Sequence, residues 1–416
     1  MTGEKVRQSP CSEPRFFYGH IIVATSLCII VATSGASSAF GVFFRPLLAE
    51  FGWTRAMTSG AYSLSRIVGG SVGIIMGALT DRLGPRIVLV TCGFLSGLGY
   101  LLMSQMTTWW QLYLFYGILA GIGGSGIVVP LLSTVARWFT AKRSTMSGIV
   151  MTGTAIGTLI APPVANWLIS IYNWRISNII IGGVVLVIVV FAALLLKRNP
   201  TQKGQMDGEN KAEKQDIKSG TKELSLREAI HTRQLWVIFT TFFCLAFGVF
   251  AFAVHIVPHA TDLGISAASA ANILATAGGL GIVGRIVLGS AADKIGNKPA
   301  FIIGFILMAA LLLWLTTATE VWMLYLCAAI LGFANAGAGA STSPLVAALF
   351  GLRSHGLIFG FTNLGFSLGG AAGPFVTGYI FDVTTNYQLA FLVCAATALV
   401  GLILITLLKP ITDEPA

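Results

Sequence analysis

Arg285 and Arg66 each stand inside a long apolar stretch. An ionisable side chain in such a place is costly to keep and is a functional candidate by default. A guanidinium in a dry cleft suits a carboxylate, because its fork of donors makes two parallel bonds. For Arg285 the competing roles are a structural ion pair or a bond to a backbone carbonyl. Arg66 could bind a ligand, draw anions in from one side, or bond to a helix end. Two residues could carry a proton. The imidazole of His255 titrates near neutral pH, although a satisfied polar residue at the rim of a bundle fits it equally. Asp262 precedes a hydrophobic-glycine pair, as Glu50 does, which favours a loop position over a relay. Ser38, Tyr116, Asn335, Phe361 and Asn363 are the polar and aromatic residues that could line the rest of an apolar cavity. Glu320 and Asp382 fall at helix ends, where solvation is expected.

The elements that must position these residues are membrane helices. The 416 residues are 55% hydrophobic and 10% charged, whereas a soluble domain carries about 25% charged residues. So few charges cannot cover a water-exposed surface. A crossing helix needs about 20 apolar residues. Twelve stretches qualify, near 18–44, 54–80, 86–105, 108–136, 143–170, 174–196, 234–259, 267–292, 299–317, 320–349, 355–381 and 387–408. The first apolar stretch is too long for a cleavable leader. This divides the chain into an arm (1–17), a six-helix bundle (18–196), a polar linker (197–233), a second six-helix bundle (234–408) and a tail (409–416). The linker holds nine Lys/Arg and six Asp/Glu, and mobility is expected of it.

With the N-terminus in the cytoplasm, 21 of the 26 Lys and Arg residues fall on cytoplasmic segments. The asymmetry predicts an even number of crossings with both termini inside. The net charge of +10 is then a topology signal and implies no nucleic-acid partner. The six cysteines show no paired spacing and read as small core residues. No phosphate-binding loop, HExxH zinc motif or Ser/His/Asp set is present, so neither a cofactor nor a metal is expected, nor an enzyme activity.

The two bundles repeat one another. Gly77-Ala-Leu-Thr-Asp81-Arg82-Leu-Gly84-Pro-Arg86 matches Gly289-Ser-Ala-Ala-Asp293-Lys294-Ile-Gly296-Asn-Lys298 at an offset of 212 residues. The same offset joins Pro46 to Pro258, Gly52 to Gly264 and Thr54 to Ser266. It also carries Gly148, Gly153, Gly157 and Pro162 onto Gly360, Gly365, Gly369 and Pro374. Thr54 and Ser266 are expected to be N-caps. The glycines are expected to pack helices closely and to leave smooth faces for sliding between halves. Glycines at 278, 279, 281 and 284 are expected to leave room around Arg285. Parallel repeats place a binding site between the halves, near the middle of the membrane.

The G-x-x-x-D-R-x-G-x-R loop and its weaker echo resemble the signature of the major facilitator superfamily. The resemblance covers the whole chain. Phe51-Gly-Trp53-Thr-Arg55-Ala, Ser133-Thr-Val-Ala-Arg137-Trp-Phe, Lys142-Arg143 and Gly148-Ile149 resemble the monocarboxylate transporter family and its oxalate/formate antiporter neighbours. The resemblance implies two six-helix bundles that rock about a central site. It implies a small monocarboxylate such as lactate or pyruvate carried with a proton, with an organic-anion exchanger as the alternative. A bacterial inner membrane, a lipid bilayer as surroundings and a working monomer go with it. Asp81, Arg82, Arg86, Asp293 and Lys294 would then be gating charges. Arg285, followed by x-x-x-Gly289, would be the anion-binding residue, and an outer acid such as Asp262 its partner. The chain departs from the family in three places. Gly281 stands where animal carriers have an aspartate, Ser38 where they have a lysine, and no lysine lies between Leu357 and Phe381. Fewer buried cations favour a monoanion.

Overall fold

The computed structural model describes residues 18–139, 143–197, 224–351 and 355–408. It is all-helical over them, in two bundles of six. The first holds α1 (Tyr18–Ser38, continued by Phe40–Phe51), α2 (Arg55–Leu83), α3 (Pro85–Met103), α4 (Trp109–Leu112 through Val128–Trp138), α5 (Arg143–Ile171) and α6 (Trp174–Leu195). The second holds α7 (Arg233–Asp262), α8 (Ala267–Ile295), α9 (Asn297–Leu315), α10 (Val321–Ala340 and Thr342–Phe350), α11 (His355–Thr384) and α12 (Gln388–Leu407). Ten spans among the described residues are long and apolar enough to cross a membrane. α10 opens with the apolar helix Val321–Ala340. α2 packs along α11 of the opposite bundle.

Turn chemistry places the helix ends. The Thr54 hydroxyl accepts from the Met57 N–H at 3.2 Å, and Ser266 does the same for Ser269 at 3.2 Å. Gly84 and Gly296 end α2 and α8 at φ 86° and 93°, a left-handed conformation that a Cβ disfavours. Pro85 then starts α3 at a position where a missing N–H costs nothing. α1 runs on to Phe51, past the expected end, as the chain restarts as a helix after Ala39 and carries Pro46 inside it. α4 loosens into a π-helical stretch over Tyr113–Ala120. Before α7 the short helix Leu226–Ile230 is closed by a Ser225/Glu228 capping box. The rest of the linker, residues 198–223, lies outside the described residues, as do the arm at 1–17 and the tail at 409–416.

Within each bundle the repeat glycines let helices touch. Gly157 lies against Gly35 and Val31 of α1, and Gly153 against Leu27 and Ile30. Gly369 lies against Phe243 of α7, and Gly365 against Phe239. These contacts are internal to a bundle, so the expected sliding face between halves is elsewhere. The seam between bundles is α2 on α11 and α5 on α8, with the second part of α1 on α7. The first two pairs exchange under the repeat. Gly70 meets Ser367, Gly378 meets Ser59, and Gly278 meets Ala155 and Leu159. Cys92, Cys244, Cys327 and Cys394 are buried as expected, but Cys28 is exposed because it faces outward from α1. Cys11 lies outside the described residues.

Candidate functional site

α2 and α8 are both 29 residues long and begin at repeat-related caps. Arg66 lies three residues before the middle of α2, and Arg285 four residues past the middle of α8. One cation therefore comes from each half. Arg285 Nη1 donates to the Met151 carbonyl of α5, across the seam, and its buried Nε has no partner. The carbonyl-bonded arrangement is thus the one adopted. The glycines beside it do not leave room: Gly284 is filled by the Phe333 backbone and Gly278 by α5. They bring neighbouring helices close to the arginine instead.

Arg66 Nη2 donates to Ser37 Oγ and to Tyr62 Oη, both at 2.7 Å. Its guanidinium lies over the rings of Tyr62 and Phe250, at 4.8 and 4.5 Å. Phe250 belongs to the other half. Tyr116 completes the group, stacked on Phe40 at 4.5 Å and beside Tyr62 at 6.2 Å. The Nε of Arg66 is buried and without a partner. Among the described residues neither arginine meets an acidic side chain.

The other expected liners are scattered. Ser38 bonds Thr158 at 2.8 Å and ties α1 to α5, while its neighbour Ser37 is the residue that meets Arg66. Phe361 packs on Trp236 and Phe239 between α11 and α7. Asn363 is exposed. Asn335 lines an apolar cavity inside the second bundle, with Leu245, Phe252 and Met308, and neither arginine is part of that lining.

A charged cluster joins the halves at the face that carries the α1–α2 and α7–α8 turns. Arg55 Nη2 reaches both Asp262 oxygens, at 3.0 and 2.7 Å, and its Nη1 donates to Tyr387 Oη. Asp382 accepts from the backbone N–H groups of Arg55 and Ala56, at 2.8 and 2.7 Å. The first three free N–H groups of α2 are thereby satisfied, two of them by a carboxylate of the opposite half, where the helix dipole favours an anion. Asp382 is therefore a clasp, not a solvated helix end. Asp262 meets Arg55, and not Arg285, which lies about 27 Å down α8 from its start.

His255 sits fully buried beneath this cluster, 3.1 Å from Tyr387 Oη through Nδ1 and 2.9 Å from the Pro374 carbonyl through Nε2. Sequence reasoning missed Arg55, Asp382 and Tyr387. The repeat held the signal. Glu50 pairs with Arg175 inside the first bundle, and the same register puts Asp262 opposite Tyr387, leaving that acid without a cation of its own bundle. At the opposite face Arg82 and Arg86 are exposed. The side chains of Asp81, Asp293 and Lys294 lie outside the described residues. Among the described residues no His, Cys, Asp and Glu group could hold a metal.

The chain is similar to monocarboxylate transporter 13 of Rattus norvegicus, 29% identical over 94% of this chain and 89% of the relative. Monocarboxylate transporter 11 of Homo sapiens is 29% identical over 94% and 83%. Among solved structures, a bacterial homologue of the human lysosomal transporter Spinster, in an inward-facing and occupied conformation, matches with a TM-score of 0.72. It is 16% identical and covers 95% of this chain and 97% of its own, so it speaks to fold alone. The family model of the Major Facilitator Superfamily matches residues 26–291 and 256–416. With its two six-helix bundles, multi-pass helices and a cation from each half beside the seam, the chain belongs to the major facilitator superfamily and is a membrane transporter.

Proposed function

We propose that the protein is a secondary active transporter of small monocarboxylates of the lactate and pyruvate type, moved with a proton as the halves rock about the central seam. The observation that carries this is Arg285. It is a buried guanidinium at the seam, held by one backbone carbonyl, with a spare donor and no acidic partner among the described residues. A single neutral acceptor leaves the charge uncompensated, and a substrate carboxylate compensates it with two parallel bonds. The similarity to monocarboxylate transporters supports the same substrate class. His255 and Asp262 are the proton-handling candidates, linked through Tyr387 and Arg55. Asp81, Arg82, Arg86, Asp293 and Lys294 form the gate at the opposite face, which we place in the cytoplasm with both termini. The clasp at Arg55 then closes the outer side, and the arrangement is inward-facing. The protein does no chemistry on its substrate and works as a monomer, and a bacterial inner membrane is the setting we assign.

The test is uptake of labelled L-lactate into proteoliposomes under an inward proton gradient. Gradient-driven uptake that drops about a hundredfold or more in Arg285→Gln is the expected result. Uptake that needs internal anion and no gradient makes the protein an organic-anion exchanger instead. Unchanged transport in Arg285→Gln removes the site. If His255→Gln and Asp262→Asn together leave the pH profile of uptake unaltered, neither handles the proton.

A further inference from the structure

We infer that Arg66 is a second carboxylate-binding station, set one step nearer the clasped face than Arg285, so that one anion passes between two cations. The inference rests on the reading of Arg285 given above. Under the repeat Arg285 falls at the position of Gly73, seven residues beyond Arg66. Seven residues of helix rise about 10 Å. The two cations therefore straddle the middle of the bundle, one a turn to each side, and neither is a copy of the other. A three-carbon acid is shorter than that separation, so it is held by one arginine at a time.

The chemistry around Arg66 fits a charge parked until an anion arrives. Its partners are two hydroxyls and two ring faces, all neutral. Hydroxyls and rings offset part of the desolvation of a buried guanidinium but leave its charge uncancelled. The orphaned Nε is a donor that no side chain uses. One of the ring faces, Phe250, comes from the other half. Rocking that parts the halves at the clasped face withdraws this ring and uncovers the guanidinium on that side. Arg285 is different in kind. Its acceptor, the Met151 carbonyl, also lies across the seam but deeper toward the opposite face. Each station is thus covered from the opposing half, and a single rocking motion uncovers one while it covers the other.

The test reads binding apart from transport. The apparent unfolding temperature of the purified protein in detergent is titrated with sodium L-lactate and sodium pyruvate at fixed ionic strength, with sodium chloride as control. Wild type, Arg66→Gln, Arg66→Lys, Arg285→Gln and the double variant Arg66→Gln/Arg285→Gln are compared. Each Gln variant is expected to need about tenfold more lactate for half of the shift. Arg66→Lys falls between wild type and Arg66→Gln, and the double variant responds as it does to chloride. Ser37→Ala removes a parking bond and keeps the cation, so it is expected to bind lactate as well as wild type or better. It keeps the question open to test if Arg66→Gln fails to fold, because weaker lactate binding in Ser37→Ala overturns the station. If Arg66→Gln titrates like wild type while Arg285→Gln loses its response, Arg66 is a tie between α1 and α2, and the Arg285 reading stands. If Arg285→Gln titrates like wild type while Arg66→Gln loses its response, the Arg285 reading falls and the passage between two cations falls with it, Arg66 then being a lone binding residue. A wild type that answers to neither acid overturns both.

Discussion

A buried ion pair is strong only where its partners cannot find water, and the Arg55–Asp262 pair sits between the limits. Its side chains are 12% and 38% exposed, which suits a contact that breaks if the halves rock as proposed. Arg55→Ala removes it and leaves the Asp382 bonds to the α2 backbone. We expect the population open at this face to rise about fivefold, for a loss of about 1 kcal/mol. Distances between spin labels on the 52–54 and 263–266 turns check this. Tyr387→Arg restores to the second bundle the in-bundle pairing that Glu50 and Arg175 make in the first. It should compete Asp262 away from Arg55 and widen the same distances. Unmoved distances in both variants mean that the backbone capping by Asp382 alone holds the face shut. At this scale the sequence was half legible. Arg66 and Arg285 stood out because a charge in an apolar stretch is costly. Their acceptors did not, because a backbone carbonyl such as Met151 leaves no mark in a residue list, and Ser37 and Ser38 differ only by the 100° between successive helical residues.

Between helices, small residues set how near two backbones come, since lipid offers little drive to associate. Gly157 and Gly369 have a facing backbone where a Cβ would go, whereas Gly148 and Gly360 face open space. Gly157→Val is expected to lower the apparent unfolding temperature by several degrees, as overpacking costs about 1–3 kcal/mol. Gly148→Ala should leave it within about a degree, since nothing there resists a methyl group. Equal effects at both positions, read by thermal unfolding in detergent, mean that close α1–α5 contact is not what the repeat preserves. The glycine spacing, the caps at Thr54 and Ser266 and the turns at Gly84 and Gly296 were all readable, because each is a local backbone requirement. The π-helical stretch in α4 and the break of α10 at Ser341 were not. They answer to the packing of neighbouring helices.

The whole molecule is two bundles joined along a seam that maps onto itself under the repeat. The α2–α11 and α5–α8 contacts exchange places. A transporter that rocks about such a seam must loosen one end of it as the other closes. The close approach of Gly70 to Ser367 lies on that line. The double variant Gly70→Cys/Ser367→Cys, oxidised in membranes, is expected to lose L-lactate uptake and to regain it on reduction. Uptake that continues with the bridge formed places the moving contact elsewhere.

Composition, spacing and the offset of 212 residues were enough to establish a membrane protein of two related six-helix bundles, because burial in lipid and repeated turns act on each segment separately. They also singled out the two arginines. Which charges meet was decided by tertiary structure alone. Asp262 reaches for Arg55 across the seam because its own bundle offers Tyr387 where the first offers Arg175. That contact joins residues 207 apart, and only the packing of one half on the other brings them together.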